Sequence, residues 1–263
     1  MERSGVLGII PARIASTRLQ NKPLHPILGR PLILWVWERM QTMSVLDRVV
    51  VATDSQEVMD VCHAAGAEVI LTSSRHPSGT DRVAEVARQD QFQSFQVIVN
   101  IQGDEPLIRE DHIRAAAELV AEGRWEVGTC AAPVQTLEAR HDPSVVKVAR
   151  ALDGRALYFS RCPIPYKRDE KPGDDELRRA PFLRHVGIYA YSHAALEGWV
   201  ALPPSPLEEL ERLEQLRPLE AGVRMGVALV GEAEPGVDTP ADVIRVEARL
   251  RALGIPSLVE RRA

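Results

Sequence analysis

The chain has 263 residues, with 32 Lys+Arg against 37 Asp+Glu for a formal charge of −5, and 45% of its residues are hydrophobic. This is ordinary globular composition, which excludes a disordered chain, a collagen-like repeat and a nucleic-acid binder that depends on overall basic charge. The length suits one α/β domain spanning 1–263 and suffices for a substantial core.

Val6–Ile10 is an apolar run without a solvent face, so it predicts a short buried strand. Pro31–Met43 predicts a helix with Pro31 in its first turn, from Leu32, Trp35, Val36 and Met40. Arg48–Thr53 is a β-branched strand, and Ser55 is the expected N-cap of a helix ending at Gly66. Glu68–Leu71 is a third strand, Thr80–Gln89 a helix and Val97–Ile101 a fourth strand. Glu110–Glu122 is helical, terminated by Gly123. Strand–helix alternation at this spacing predicts a doubly wound, mostly parallel sheet, because parallel neighbours need crossovers.

After about residue 125 the rhythm changes. Val145–Arg150 and Ala156–Arg161 flank the turn signal Leu152-Asp153-Gly154 and predict a hairpin. Tyr166–Ala180 is charged and aperiodic, so a mobile surface loop is expected. Leu183–Ser192 is a strand, Pro206–Leu219 one helix and Val223–Val230 a strand. Thr239-Pro240-Ala241-Asp242 opens a last helix through Leu250 with an N-cap, Pro at N1 and an acid at N3. The expected layout is a core of about 1–125 and 220–263, with an antiparallel region inserted at about 126–219.

Three cysteines without CxxC spacing argue against a disulfide framework or zinc knuckle and for a reduced cytoplasmic setting. Gly5–Ile10 is too short for a signal sequence, and no run is long enough to span a bilayer. No nucleic-acid or membrane partner is expected.

Charge placement says more than net charge. Between Arg3 and Trp37 there is no acid, while Arg3, Arg13, Arg18, Lys22 and Arg30 supply five positive charges. Arg13, Arg18 and Lys22 fall in the loop leaving the first strand, at the carboxyl edge where open α/β sheets bind ligands. Guanidinium forks and an ammonium suit a triphosphate, and small Ala15, Ser16 and Thr17 let backbone N–H groups approach an anion. The bland alternative is a solvated basic loop. Neither GxGxxG nor GxxxxGK[ST] occurs in this loop, which disfavours a dinucleotide fold or a P-loop NTPase.

Asp104 follows the strand Val97–Ile101, and Asp238 precedes the last helix. Two such carboxylates can share one Mg²⁺ and leave positions open for substrate oxygens. Read blandly, Asp104 is a turn residue and Asp238 an extra cap. With an anion-binding loop, the chemistry indicated is nucleotidyl transfer, in which a hydroxyl attacks the α-phosphorus of a nucleoside triphosphate and pyrophosphate leaves.

Ile9-Ile10-Pro11-Ala12-Arg13, Ser16-Thr17-Arg18-Leu19, Lys22-Pro23-Leu24, Ser78-Gly79-Thr80-Asp81-Arg82 and Asn100-Ile101-Gln102-Gly103-Asp104-Glu105-Pro106 resemble motifs of the 3-deoxy-manno-octulosonate cytidylyltransferases, the CMP-Kdo synthetases. So do Tyr158-Phe159-Ser160-Arg161, Arg184-His185-Val186-Gly187-Ile188-Tyr189, Leu213-Glu214-Gln215-Leu216-Arg217 and Gly236-Val237-Asp238-Thr239-Pro240. The likeness runs over nearly the whole chain in order.

It implies a nucleotide-diphospho-sugar transferase-like fold whose inserted antiparallel region carries dimerisation and sugar binding. It also implies CTP and Kdo as substrates, Mg²⁺ as cofactor and a role in lipopolysaccharide synthesis. By the same resemblance Arg13, Lys22, Asp104 and Asp238 are catalytic, and Asp104 and Asp238 hold the metal. Arg13, Ser16, Arg18, Lys22, Ser78, Gly79, Asp81 and Gln102 bind CTP. Arg161, His185, Tyr189, Glu214 and Gln215 form the sugar pocket. Core packing would also place His185 and Tyr189 on one strand face, and Glu214 can equally be a solvated helix carboxylate. The family is homodimeric, and Trp199 and Leu202 are candidates for its interface. Ile14 and Gln20-Asn21 depart from the usual motifs where they would alter loop stiffness, and Cys162-Pro163 adds a proline near the sugar pocket, which leaves open a related acceptor (8-amino-Kdo, sialate or pseudaminate). A non-catalytic sensor is the other alternative, and retention of both aspartates argues against it.

Overall fold

The computed structural model describes residues 5–15, 18–178, 181–234 and 236–254. The fold is mixed α/β, and the chain divides into two compact units, Met1–Glu110 with Glu234–Ala263, and Asp111–Ala233. The unit boundaries fall at 110/111 and 233/234, where the change of rhythm suggested about 125 and 220.

The first unit opens with β1 (Val6–Ala12), buried except at Pro11. A 3₁₀ turn at Lys22–Leu24 leads into a small hairpin of β2 (Pro26–Ile27) and β3 (Arg30–Pro31). Helix α1 (Leu32–Gln41) follows, with Pro31 standing at its N-cap in extended conformation rather than inside the first turn. Then come β4 (Arg48–Thr53), α2 (Gln56–Ala64), β5 (Val69–Leu71), α3 (Gly79–Ala87) and β6 (Val97–Asn100). The pairings give a parallel order β6-β1-β4-β5, so all four strands end at one edge. Ser55 and Ser78 cap α2 and α3 by accepting the N–H of Val58 and Asp81, at 3.4 and 3.2 Å.

The second unit contains α4 (Glu110–Ala121, beginning at the boundary), β7 (Val127–Pro133), α5 (Leu137–His141), β8 (Lys147–Arg150) and β9 (Ala156–Ser160). It continues with α6 (Asp174–Leu177), β10 (Leu183–Tyr191), α7 (His193–Ala201), α8 (Pro206–Glu211), α9 (Leu216–Glu220) and β11 (Met225–Leu229). Strand β10 lies antiparallel to β7 and β8, β8 antiparallel to β9, and β11 parallel to β7. The predicted hairpin is therefore present, and β11 adds a parallel pair.

The structure departs from three further expectations. The single helix over Pro206–Leu219 is two short helices, because Arg212 takes a left-handed conformation with φ 53° and ends α8. Leu210 accordingly stays 81% exposed while Leu213 and Leu216 are buried, so the three-residue leucine spacing does not build one face. The charged stretch from Tyr166 contains a helical turn, α6, anchored by buried Leu177; residues 179–180 of that stretch lie outside the described residues. Trp199 is not an interface residue, since it is 1% exposed within this chain and packs edge-on against Tyr189 and Tyr191, both at 5.5 Å.

The chain then returns to the first unit through α10 (Pro240–Ala252). Thr239 and Asp242 close the capping box expected from the sequence, with the Asp242 carboxylate accepting the Thr239 N–H at 2.8 Å. Among the described residues, no helix is long and apolar enough to cross a membrane.

Candidate functional site

An apolar cluster brings three remote segments of the first unit together. Leu19 of the basic loop, Ile27, Leu28 and Leu32, Leu107 beyond β6, Val237, and Val246 and Leu250 of α10 share one buried core. Leu19 lies three residues before Lys22, Leu107 three after Asp104 and Val237 one before Asp238, so burying them carries Lys22, Asp104 and Asp238 to the same place. Two backbone features tighten this arrangement. The Val237 N–H donates to the Asp104 carbonyl at 2.8 Å. A side chain on Gly103 would stand 2.8 Å from the Pro11 carbonyl, so only glycine lets this turn lie against β1.

The Lys22 ammonium donates to both acids, to Asp104 Oδ2 and, at 2.7 Å, to Asp238 Oδ1. Burial alone would lower its pKa, but the two carboxylates outweigh that and hold it above the usual lysine value. Arg18 adds a contact to Asp238 Oδ1 at 3.1 Å. Two carboxylate oxygens from turns 134 residues apart (238 − 104) thus converge on one cationic nitrogen. Hard oxygen donors meeting at one point fit Mg²⁺, which takes one or two carboxylates and leaves the rest of its shell to water and phosphate. No cluster of three acidic, His or Cys ligands occurs among the described residues.

The other predicted nucleotide residues distribute around the same sheet edge. Arg13 is exposed directly after β1, Gln102 follows β6, Ser78 caps α3 and Gly79 opens it. The Ser78 hydroxyl donates to Asp81 Oδ2 at 2.6 Å. Ser16 lies outside the described residues. Arg30 does not belong to the positive cluster, because it is paired with Glu38 and lies over the Trp35 ring at 5.8 Å. Asp54, the first residue beyond β4, closes the family-like motif Val51-Ala52-Thr53-Asp54, but the sequence analysis assigns it no role. Its carboxylate accepts from the Ile14 N–H at 3.1 Å and from Arg82 at 2.9 Å. The signal was present, because Asp54 leaves a buried strand at the same edge that Asp104 does.

The predicted sugar residues lie in the second unit. Strand β10 bulges between Val186 and Tyr189, yet His185 and Tyr189 oppose Ala131 and Thr129, which are two apart on β7. They therefore share a face, and their rings are 5.3 Å apart. Part of His185 reaches the surface, but its ring packs edge-on against Phe159 at 5.0 Å. Burial, with Arg184 nearby, pushes its pKa down to about 3. Its Nε2 lies 2.8 Å from the Thr129 hydroxyl, which donates to the Ile188 carbonyl at 2.6 Å, so Nε2 carries the proton of a neutral imidazole. Burial, then Tyr191 and Glu214, raise the Tyr189 pKa well above the phenol range.

Arg161 is committed largely to main chain. Its Nε, Nη1 and Nη2 donate to the carbonyls of Glu211, Pro143 and Arg212 at 2.6, 2.8 and 3.1 Å. It thereby holds the end of α8 and the turn leading to Glu214 and buried Gln215, leaving one N–H on each of Nη1 and Nη2 for a ligand. Lys147, fully buried, and Glu211 were not foreseen. Lys147 donates to three carbonyls including that of Arg161 at 2.5 Å, and Glu211 accepts from Ser160 Oγ and the Arg161 N–H at 2.6 and 2.9 Å.

The parallel sheet with a cationic loop and paired acids at its carboxyl edge is the frame of a nucleotidyl-transfer enzyme, and a cytidylyltransferase family profile matches residues 7–225. The chain belongs to the cytidylyltransferase family. Within it, a Gemmatimonas aurantiaca protein named 3-deoxy-manno-octulosonate cytidylyltransferase is 48% identical over 241 residues, 91% of this chain and 92% of that one. One of the same name from Pseudomonas fluorescens is 47% identical over 248 residues, covering 93% and 97%. A solved CMP:2-keto-3-deoxy-manno-octonic acid synthetase complexed with CTP matches with TM-score 0.83 and 38% identity over 95% of this chain and 99% of that one. A Leptospira borgpetersenii cytidylyltransferase, 17% identical with TM-score 0.60 over 94% and 87%, shares the fold.

Proposed function

We propose that this enzyme transfers CMP from CTP to the anomeric hydroxyl of 3-deoxy-D-manno-octulosonate (Kdo), releasing pyrophosphate, with Mg²⁺ as cofactor. The observation that carries this reading is the meeting of Asp104 and Asp238 on the Lys22 ammonium at the end of an acid-free basic loop. Three cations, Arg13, Arg18 and Lys22, less two carboxylates leave a net charge of +1. That is too little for a triphosphate, and a divalent ion held by Asp104 and Asp238 would bring the site to +3. Bound there, Mg²⁺ would polarise phosphate oxygens and lower the pKa of the attacking hydroxyl. Arg13 and Arg18 clamp phosphate oxygens, and Lys22 stabilises charge growing on the α-phosphate and the leaving group. Ser78, Gly79, Asp81 and Gln102 line the nucleoside side.

In the second unit, neutral His185, the protonated Tyr189 phenol, Glu214 and Gln215 supply the mixed donors and acceptors that sugar hydroxyls need, and Arg161 offers its remaining N–H groups to the acceptor carboxylate. All three cysteines are free, with Cys162 exposed, which suits a reducing compartment, and we assign the enzyme to the cytoplasm.

The test is pyrophosphate release with CTP and Mg²⁺ across Kdo, 8-amino-Kdo, sialate and pseudaminate. Turnover is expected with Kdo. Turnover with another acid alone would overturn the acceptor assignment, and Mg²⁺–CTP binding without turnover on any acid would mark a sensor.

A further inference from the structure

We infer that Asp54 is a positioning residue for CTP: one carboxylate that sets the spacing between the two segments assigned above to the nucleotide. The inference rests on that assignment and adds a residue to it. Asp54 Oδ1 accepts the N–H of Ile14, the residue directly after Arg13 in the phosphate loop. Asp54 Oδ2 accepts from Arg82 Nη2, and Arg82 lies in α3, the helix whose start carries Ser78, Gly79 and Asp81. The two oxygens of a single side chain are thus divided between the two segments.

The surroundings make this link stiff. The Asp54 and Arg82 side chains are 10% and 3% exposed. The other terminal nitrogen of Arg82 donates to the Thr72 hydroxyl and to the Ser73 carbonyl. Thr72 in turn donates to the Thr53 carbonyl at 2.9 Å, and the Thr53 hydroxyl to the Ala12 carbonyl at 2.7 Å. The ends of β1 and β4, the segment after β5 and α3 are therefore joined through one polar chain centred on Asp54. A buried ion pair repays little of its own desolvation, so its contribution here is geometry rather than stability. Groups that clamp phosphate and nucleoside work only when held close to their binding positions, and displacements of about 1 Å cost up to about 100-fold.

The experiment compares Asp54→Asn with wild type by calorimetry of CTP without acceptor, and by KM for CTP and for Kdo. Asn keeps an oxygen for Ile14 but sets an uncharged amide against Arg82. CTP affinity should fall about 10-fold and KM for CTP rise in step, while KM for Kdo and kcat change less than about 2-fold. Should Asp54→Asn fail to fold, Arg82→Lys gives the same readout from the α3 side, because it retains a cation for Asp54 and loses the nitrogen on Thr72 and Ser73. Unchanged CTP affinity in a folded variant overturns the inference alone, as does an equal rise in both KM values. A wild-type protein that binds no CTP overturns the reading of the site as well.

Discussion

Replacing Lys22 with Met removes the only ammonium that joins Asp104 and Asp238 among the described residues, and leaves a methylene stem of similar length. Lys22 is 16% exposed, against 27% for Asp104 and 42% for Asp238. A hydrogen bond to a charged acceptor contributes roughly 1.5–3 kcal/mol when buried. The exposure of both carboxylates and the Arg18 contact that remains on Asp238 reduce the expected loss for the two bonds together to about 2 kcal/mol. The same change frees two oxygens for a hard cation. An ion that binds only the folded chain adds about 2.7 kcal/mol at 100 times its dissociation constant. In wild type the gain is smaller, since the ammonium must first leave those oxygens. Urea unfolding of both proteins, with and without Mg²⁺ and without CTP, reads the difference. The variant should begin less stable and recover more on adding Mg²⁺, while its kcat falls by about 100-fold or more from lost charge stabilisation. Equal Mg²⁺ effects on the two proteins would refute the idea that ammonium and metal compete for one pair of acids.

The Asp104→Asn and Asp238→Asn variants should each lower kcat by more than about 10-fold while remaining folded, measured by pyrophosphate release. His185 is neutral in the folded chain down to about pH 3, whereas an unfolded histidine protonates near 6.5. The unfolded state therefore binds the extra proton between those values, and stability falls as pH drops through that window by up to about 1.4 kcal/mol per unit. His185→Gln should flatten that slope in urea titrations at successive pH values. Trp199→Ala should cost about 3–5 kcal/mol at every protein concentration, as a core truncation does, and a loss that vanished at high concentration would point to an interface instead.

What could be read from the chain were features with local causes. Strands β1, β4 and β6 announce themselves because parallel strands covered on both faces are continuously apolar. The caps Ser55 and Thr239 follow from side-chain chemistry at fixed offsets. The break at Arg212 was hidden because a left-handed residue there is not glycine, and leucines spaced by three continue past it. Helix α7 and strand β7 were missed among sequences rich in alanine and glycine that carry weak periodicity. At the site, the acid-free stretch pointed to the basic loop and strand ends pointed to Asp104. That Lys22 bonds both acids depended on the packing of Leu19, Leu107 and Val237, a long-range contact with no local signal. Trp199 read as an interface residue, but it belongs to an aromatic cluster with Tyr189 and Tyr191 that only the folded register reveals.

Crystals grown with CTP and Mn²⁺ in place of Mg²⁺ would locate the metal by its anomalous signal. The account predicts a peak coordinated by carboxylate oxygens of both Asp104 and Asp238, with the Lys22 ammonium turned onto phosphate. A peak away from either aspartate, with Lys22 still bonded to both, would contradict it.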